Sequence, residues 1–364
     1  MKLDDCFSDS YAQARRKFLD AAADAGLQVE SRIHPERGRD GEELAMDVVR
    51  DGPVDATALL VLSSACHGVE GFCGSGVQVA ALRDAQWREQ ARGKGVAVLY
   101  VHALNPYGFS HIRRTTQENV DLNRNFHDFT KPLPKNPGYA ELHPLMFPDH
   151  WPPSPENEAK LQAWVEKNGA AAYQAAISSG QHEFPDGMYY GGLGPTWSNR
   201  TLREVLRAHG RTLRRIGWID FHTGLGPSGL GERIYAGPDD ADEVARVRSW
   251  WDGGGQTPVT SIYDGSSTSS KLTGMMWTCV GDECPDAEYT GIAMEYGTQP
   301  LQQVLQAVRA EHWLNQHPEA TPELAASIKR QMLEAFYTDT PEWRQRIWEQ
   351  AREAMGQAVE GLGR

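Results

Sequence analysis

Two continuous apolar runs of strand length constrain the fold of this 364-residue chain more than any other feature. The runs Ala56–Ala65 and Val96–Ala103 are separated by a segment with helical spacing, Val77–Arg92. Strands that are apolar throughout are typical of parallel sheets, and parallel neighbours are usually joined by a crossover helix. We therefore expect a βαβ unit with parallel strand pairing.

Two shorter apolar runs, Ile216–Phe221 and Gly291–Met294, repeat this pattern farther along the chain. Each is followed directly by a residue that binds metals or moves protons, His222 in the first case and Glu295 in the second. Ligands bind at the carboxyl ends of the strands in open α/β sheets. We therefore expect these side chains to meet at one edge of the sheet.

The Gly-rich bend that follows the first apolar run, "SSACHGVEGFCGSG", contains His67 and Glu70. This His-x-x-Glu spacing is a weak motif by itself, because such a bend also holds hydrogen-bonded His and solvated Glu side chains for structural reasons. Together with His222 it supplies two histidines and one carboxylate, the usual ligands of a catalytic zinc ion. Glu295 then remains as a candidate general base.

Positive charge is concentrated in the segment Gly108–Phe126, which contains Arg113, Arg114 and Arg124. One interpretation is a solvated, charged loop. The alternative rests on "VDLNRNF", where Asn123 precedes Arg124, because a guanidinium beside an amide is well suited to bidentate capture of a carboxylate. This interpretation predicts a substrate with an acidic end.

The composition disfavours several classes of protein. A net charge of -13 and a pI near 5.4 disfavour binding to nucleic acids or anionic membranes. No window approaches the roughly 18 apolar residues of a membrane span, and the N-terminal "MKLDDCFSDS" lacks the apolar core of a secretory signal. Five cysteines, an odd number, do not indicate a disulfide framework. We therefore expect a cytoplasmic protein that binds neither nucleic acids nor membranes.

The sequence as a whole predicts one catalytic domain, residues 1–364, with an insertion and a helical C-terminal segment. The segment Asp9–Leu27 has the spacing of an amphipathic first helix. Residues 127–200 are rich in Pro and Gly, and we interpret them as an insertion of long loops and helices that borders the site. Residues 301–364 form a helical C-terminal segment whose aromatic residues pack in the core.

Other motifs are weaker. Gly224–Gly229 matches the dinucleotide-binding pattern G-x-G-x-x-G, but it contains Pro227 and the sequence that follows predicts a turn and a strand instead of a phosphate-binding helix. No G-x-S-x-G motif indicates a serine nucleophile. Cys66 is expected to be a small buried residue, and Cys279 and Cys284 are expected to be free thiols in a loop.

The motifs "HGVE", "DLNR", "DFH" and "MEYG", in this order, resemble those of the zinc carboxypeptidase superfamily, in particular the branch near aspartoacylase and succinylglutamate desuccinylase. The resemblance extends from about Ala56 to Thr298. It implies a three-layer α/β/α fold with a mixed, mostly parallel, twisted central sheet.

The resemblance also implies a role for each matching residue. One zinc ion per chain would be bound by His67, Glu70 and His222, with Glu295 as general base and proton shuttle. Asp121 would accept a hydrogen bond from His67 and so fix its tautomer.

Further matches concern the substrate. Asn123 and Arg124 would grip the substrate carboxylate, and Arg114 or Arg113 would polarise the scissile carbonyl, with Arg114 preferred. Carboxypeptidases also use a mobile tyrosine, for which the sequence leaves three positions open: Tyr263, Tyr289 and Tyr296.

The predicted function is that of a zinc-dependent metallocarboxypeptidase acting on small peptides with a free carboxylate. The alternative is an aspartoacylase-like deacylase of N-acyl amino acids or related small amides, because both reactions use the same zinc, base and arginine. A non-enzymatic binding protein is a third possibility, which retention of every ligand and of Glu295 argues against.

Overall fold

The computed structural model describes residues 2–252 and 257–364. Within these residues the strands belong to one eight-stranded sheet. In chain order they are β1 (Val29–Arg37), β2 (Glu43–Asp51), β3 (Ala58–Ser64), β4 (Val96–His102), β5 (Arg215–Ser228), β6 (Gly231–Tyr235), β7 (Val259–Thr260) and β8 (Glu288–Gly297).

The strands lie side by side in the order β1-β2-β4-β3-β5-β8-β6-β7. The four central strands β4, β3, β5 and β8 are mutually parallel, whereas β1, β2 and β6 add antiparallel pairs and β7 runs parallel to β6. The predicted mixed, mostly parallel sheet and its βαβ unit are therefore confirmed.

The helices of the described residues cover the sheet on both faces. In chain order they are α1 (Tyr11–Asp24), α2 (Gly71–Arg83), α3 (Ala85–Gly93), α4 (Pro106–Ser110), α5 (Pro137–Met146), α6 (Pro155–Asn168), α7 (Ala170–Ser178), α8 (Trp197–His209), α9 (Ala241–Trp251), α10 (Cys279–Glu283), α11 (Leu301–Gln316), α12 (Pro322–Phe336) and α13 (Pro341–Leu362).

The side chains of β3 point alternately into two apolar layers, one on each face of the sheet. Leu60 and Leu62 join the apolar cluster formed with α1, α2 and α13, whereas Leu59 and Val61 join the cluster formed with α8 and α10. Successive side chains of a strand point to opposite faces of the sheet. Both faces of β3 are therefore buried, which explains why its sequence is apolar without interruption.

Two predicted element boundaries were wrong. The crossover between β3 and β4 consists of two helices instead of one. Asp84 ends α2 because its backbone is extended, and its side chain then caps α3 by accepting a hydrogen bond from the Trp87 amide. His222 and Glu295 lie within β5 and β8 and not after them, because the pairing of these strands continues beyond the apolar runs.

The remaining segments match their predicted character in part. Residues 127–200 contain α5, α6, α7 and the start of α8, and the helical C-terminal segment consists of α11 to α13. All five cysteines are buried and free, but Cys279 lies on α10 and Cys284 ends it, so these two are not in a loop. No helix in the described part of the chain is long and apolar enough to cross a membrane.

Candidate active site

The Gly-rich bend after β3 positions the first two candidate ligands. Residues Gly68–Glu70 form a single 3₁₀ turn between His67 and α2. The backbone amides of Gly68 and Val69 donate hydrogen bonds to the carbonyl oxygens of Arg114 and Arg113. A Cβ atom on Gly68 would overlap the backbone of Gly108, so this close approach requires glycine. The bend is thereby fixed against the segment that carries the arginines.

The third ligand and the candidate base are neighbours in the sheet. His222 on β5 and Glu295 on β8 are partners in the register of this parallel pair. Partner residues on adjacent strands point to the same face of a sheet. The sheet therefore places an imidazole beside a carboxyl group, and both side chains line the same cleft as His67 and Glu70.

His67, Glu70 and His222 bring their ligand atoms within 4.8 Å of one another. Glu70 lies between the two imidazoles, with its Oε1 atom 2.8 Å from His67 Nδ1 and its Oε2 atom 2.8 Å from His222 Nδ1. Burial acts to raise the pKa of Glu70, but the two histidines outweigh it and lower this pKa to about 2. An ionised carboxylate and two ring nitrogens suit a zinc ion, so the donor set fits the implied metal.

The opposite side of the His222 ring is held by a chain of buried polar groups. His222 Nε2 lies 2.5 Å from Asp220 Oδ2, and Asp220 Oδ1 accepts a hydrogen bond from Ser63 Oγ. Ser63 Oγ in turn accepts a hydrogen bond from Trp218 Nε1. The sequence prediction assigned no role to Asp220. Its position two residues before His222 on one strand was the available signal, because such residues share a face.

The outer nitrogen of His67 has two neighbours. Arg114 Nη2 lies 2.7 Å from His67 Nε2, whereas Asp121 Oδ1 lies 3.4 Å from it. Arg114 also donates through Nε to Asp121 Oδ2 at 2.9 Å. An arginine N–H interacts favourably with Nε2 only while that nitrogen carries no proton. If Nδ1 binds a metal, the proton moves to Nε2, and Asp121 is then the acceptor that the sequence predicted.

The structure separates the two adjacent arginines. Arg114 lines the cleft, whereas Arg113 lies outside its lining, with Nε 2.9 Å from Glu311 Oε1 and Nη2 donating to Asn119. Both Arg113 and Glu311 are buried. Burial acts to raise the pKa of Glu311, but Arg113 and then Lys329 lower it to about 2. This geometry gives Arg113 a structural ion pair and keeps Arg114 as the arginine that a substrate can reach.

Replacing Arg113 with Met is expected to destabilise the fold by about 2–3 kcal/mol at pH 7, because a buried carboxylate loses one of its cations. Since the pKa of Glu311 is lowered in the folded state, the pair stabilises the protein above pH 4.5 and progressively less as the pH falls toward 2. Denaturant unfolding of both proteins at pH 7 and pH 3 measures this difference.

The matched control for this prediction is Arg39→Met, which breaks an exposed pair with Asp40. It is expected to change stability by less than about 1 kcal/mol. Equal effects of the Arg113 and Arg39 substitutions, or a destabilisation by Arg113→Met that grows at acidic pH, would contradict the structural role.

Asn123 and Arg124 lie together in the cleft lining, close to a tyrosine that the sequence prediction missed. The Arg124 guanidinium donates to the carbonyl oxygens of Ser178 and Asn123. The ring of Tyr189 lies 5.1 Å from Arg114 Cζ and 5.5 Å from Arg124 Cζ, within the range of cation–π contacts. Burial lowers the pKa of Arg124, as expected for a cation without a carboxylate in hydrogen-bond contact.

Tyr189 belongs to the segment of residues 127–200, which also contributes Gln174, Ile177 and Ser178 to the cleft. The signal in the sequence was the pair of tyrosines in "YYGG". The three tyrosines left open by the sequence, Tyr263, Tyr289 and Tyr296, are absent from the described lining of the cleft.

Glu295 is a buried carboxyl group with a shifted pKa. Burial, and next the Glu70 carboxylate, raise the pKa of Glu295 to about 8. Its Oε1 atom accepts a hydrogen bond from the Leu225 amide at 3.0 Å, which fixes the carboxyl group in the cleft. Groups that exchange protons near neutral pH work best when their pKa lies near the working pH.

A second close cluster, Cys66 with Asp220 and His222, shares one histidine with the first. Burial, and next the charge of Asp220, raise the pKa of the Cys66 thiol well above its usual value. Only the thiolate is a good metal ligand. His67, Glu70 and His222 all line the cleft, whereas Cys66 and Asp220 lie outside its described lining, so we assign the candidate metal centre to the first three, with Cys66 as a small buried residue.

Comparison with solved structures shows a carboxypeptidase-like fold. Thrombin-activatable fibrinolysis inhibitor aligns with a TM-score of 0.50 and 12% identity over 97% of this chain and 74% of its own. The bovine protein in complex with tick carboxypeptidase inhibitor gives 0.48 and 11%, covering 97% of both chains. A metallo-carboxypeptidase from Pseudomonas aeruginosa, in complex with (2-guanidinoethylmercapto)succinic acid, gives 0.42 and 14% over 94% of this chain and 69% of its own.

Within this fold class the chain belongs to the family described as "Protein of unknown function (DUF2817)", whose model matches residues 7–350. No curated protein matches the chain.

Proposed function

We propose that this protein is a zinc-dependent hydrolase that cleaves an amide or peptide bond next to a substrate carboxylate, as a metallocarboxypeptidase does. The observation that carries the proposal is the convergence of His67, Glu70 and His222 within 4.8 Å, in the same cleft as Glu295 and Arg114. These five side chains supply a metal site, a base and a cation for one reaction.

His67, Glu70 and His222 would hold one zinc ion per chain. Zinc bound by two histidines and one carboxylate supplies Lewis-acid chemistry, which makes a water molecule acidic at neutral pH and polarises a carbonyl group. Asp220 and Asp121 orient the two imidazoles from the outside, as carboxylates commonly do for zinc-binding histidines. The remaining steps belong to residues of the chain.

Glu295 accepts a proton from the attacking water at its carboxylate and later delivers this proton to the nitrogen of the leaving amine. A metal ion held by Glu70 would offset the negative charge that helps to raise the pKa of Glu295, which favours the ionised carboxylate that accepts the proton. Its fixed hydrogen bond with Leu225 leaves Oε2 as the oxygen free to exchange the proton.

Arg114 donates a hydrogen bond to the carbonyl oxygen as negative charge develops on it. Asp121 holds the guanidinium through Nε, whereas Nη2 lies 2.7 Å from His67 Nε2 and Nη1 lies 3.5 Å from Glu70 Oε1, so the Nη atoms lie beside the candidate metal centre. A preorganised donor of this kind contributes roughly 3–4 kcal/mol to stabilisation of the transition state.

Arg124 and Asn123 bind the substrate carboxylate. The Arg124 side chain is buried, and its hydrogen bonds to protein are made with neutral carbonyl oxygens. Asp121 lies 3.9 Å from Nη1 and is already shared with Arg114. Binding an anionic carboxylate therefore neutralises a buried cation, which is favourable in a site of low dielectric constant.

Deacylation of N-acyl amino acids is the second candidate. The observation that favours it is the burial of the site, since Glu295 and Arg114 are each only 9% exposed. Such a site suits a small, flexible substrate. Zinc-loaded protein assayed against a panel of C-terminal dipeptides and of N-acyl amino acids separates the two, and loss of all amide hydrolysis in both panels would contradict the proposal.

Replacing Arg124 with Lys is expected to raise KM by about tenfold or more for substrates with a free carboxylate, because lysine keeps the charge but loses the bidentate geometry. Amidated or esterified analogues are expected to be poor substrates of the wild type, and the substitution is expected to affect them little. Comparison of kcat/KM for the two proteins and the two substrate types gives the coupling free energy between the Arg124 side chain and the substrate carboxylate.

Arg200→Lys serves as the control for this experiment, since Arg200 is exposed and lies outside the cleft lining. It is expected to leave both substrate types unaffected. Equal losses on carboxylate and amidated substrates for Arg124→Lys would show that Arg124 supports the fold instead of the substrate.

A further inference from the structure

Two groups of apolar residues, which we call walls, line the cleft. The first wall is formed by six residues from β6, β8 and the segment between them: Ile234, Ile262, Leu272, Met275, Trp277 and Ala293. The second wall is formed by the end of β5 and by α11 and α12: Leu225, Leu301, Val304, Leu305, Val308 and Phe336.

The first wall lies on the side of the site where the substrate carboxylate is proposed to bind. Ala293 precedes Glu295 by two residues on β8, so both side chains point to the same face, and Ile234 on β6 is the register partner of Ala293. The Met276 amide, next to Met275, donates a hydrogen bond to Asn123 Oδ1. A substrate residue whose carboxylate is bound by Asn123 and Arg124 therefore presents its side chain to this wall.

The second wall lies on the other side of Glu295. Strand β8 has β6 on one side and β5 on the other, and Leu225 reaches Glu295 from β5. The Thr223 hydroxyl donates to the Phe336 carbonyl oxygen, which ties α12 to the same strand. The Thr223 amide lies 3.3 Å from Glu70 Oε2, so this wall borders the candidate metal centre. The acyl group of a bound amide therefore faces the second wall.

Apart from the site residues, the described lining of the cleft contains no charged group to pair with a charged substrate side chain. Among the described lining residues, those that carry charge or bind metal are the site residues themselves: His67, Glu70, Arg114, Arg124, His222 and Glu295. The other polar lining residues are neutral. Moving an unpaired charge from water into such a cleft is costly, whereas apolar groups gain free energy there.

From these walls, and resting on the proposed function, we infer that the substrate carries an uncharged apolar group on each side of the scissile amide. The substrate class is an N-acyl amino acid in which both the side chain and the acyl group are apolar. The amino-acid side chain occupies the first wall and the acyl chain the second. Site burial favours an acyl part that is a single unbranched, flexible chain, such as octanoyl.

The test measures kcat/KM of the zinc-loaded wild type on six substrates, the N-acetyl and N-octanoyl derivatives of Phe, Lys and Asp. Phe derivatives are expected to exceed Lys and Asp derivatives by about tenfold or more, and octanoyl to exceed acetyl by a similar factor, in line with the discrimination of apolar pockets. A preference for Lys or Asp, or for acetyl, would overturn the inference.

Two half-buried leucines allow the walls to be tested separately. Leu272→Asp is expected to reduce the Phe-to-Lys ratio by about tenfold or more while leaving the octanoyl-to-acetyl ratio unchanged, and Leu305→Asp is expected to do the reverse. Leu193→Asp is the control, because Leu193 is 70% exposed and lies outside the cleft lining. Changes in both ratios from one substitution would overturn the assignment of the walls.

A binding measurement separates failure of this inference from failure of the proposed function. If the wild type hydrolyses neither the six compounds nor the C-terminal dipeptides, the proposed function fails. Calorimetric titration of the zinc-loaded protein with the same compounds then still tests the walls, with N-octanoyl-Phe expected to bind about tenfold or more tightly than the Lys and Asp derivatives. Equal or weaker binding of N-octanoyl-Phe would overturn the inference. Because this titration uses the wild type, it tests the inference even if a leucine variant fails to fold.

Discussion

Replacing Glu295 with Gln is expected to lower kcat for amide hydrolysis by about 10²–10⁴-fold while leaving the zinc content at one ion per chain. The amide side chain has nearly the same shape and can still accept the hydrogen bond from Leu225, but it cannot take up a proton from water. Steady-state kinetics on the preferred amide, together with metal analysis of the same sample, measures both quantities.

Glu232→Gln is a close control for this substitution. Glu232 on β6 is the register partner of Glu295, but it hydrogen-bonds with Thr260 and Thr268 and lies outside the cleft lining. It is expected to keep near-normal turnover. Near-normal turnover of zinc-replete Glu295→Gln would mean that another group accepts the proton.

Replacing His222 with Ala is expected to weaken zinc binding by more than about 100-fold, since even residues that only orient a zinc ligand contribute 10–100-fold. The variant is expected to lose its zinc under mild chelation and to lose hydrolysis with it. Competition with a chromophoric chelator measures the affinity, and this readout is independent of catalysis.

His182→Ala provides the comparison, because His182 is also buried but lies outside the cleft lining, where its Nδ1 donates a hydrogen bond to the Gly192 carbonyl oxygen. Its zinc affinity is expected to equal that of the wild type. If His222→Ala also retained wild-type affinity, the three-residue metal centre would be wrong.

The central strands were predictable from the sequence, whereas the edge strands were not. Strands β3 and β4 are buried along their whole length, so each is an uninterrupted apolar run. Strand β1, with the sequence "VESRIHPER", lies at the edge of the sheet and is mostly exposed, and β7 has only two residues. Their pairing is determined by neighbours in space, which leaves little hydrophobic pattern in the sequence.

The choice between Arg113 and Arg114 shows where sequence reasoning stops. The two are adjacent, so spacing to Asn123 cannot separate their roles. What separates them is Glu311 on α11, which pairs with Arg113 from a position almost 200 residues later. The same limit applies to Tyr189, whose contact with two arginines depends on how residues 127–200 fold over the cleft.

The candidate ligands and the proposed base come from the central strands and the bend after β3, whereas much of the two apolar walls comes from α11, α12 and the segment between β7 and β8. This division has an evolutionary consequence. If the walls bind the substrate as inferred, mutations in them are expected to change which compounds are recognised without altering the strand pairing that holds His222 beside Glu295. Members of one family that share this scaffold are therefore free to change their substrate specificity while keeping the same reaction. The wall residues are the positions at which we expect their sequences to differ.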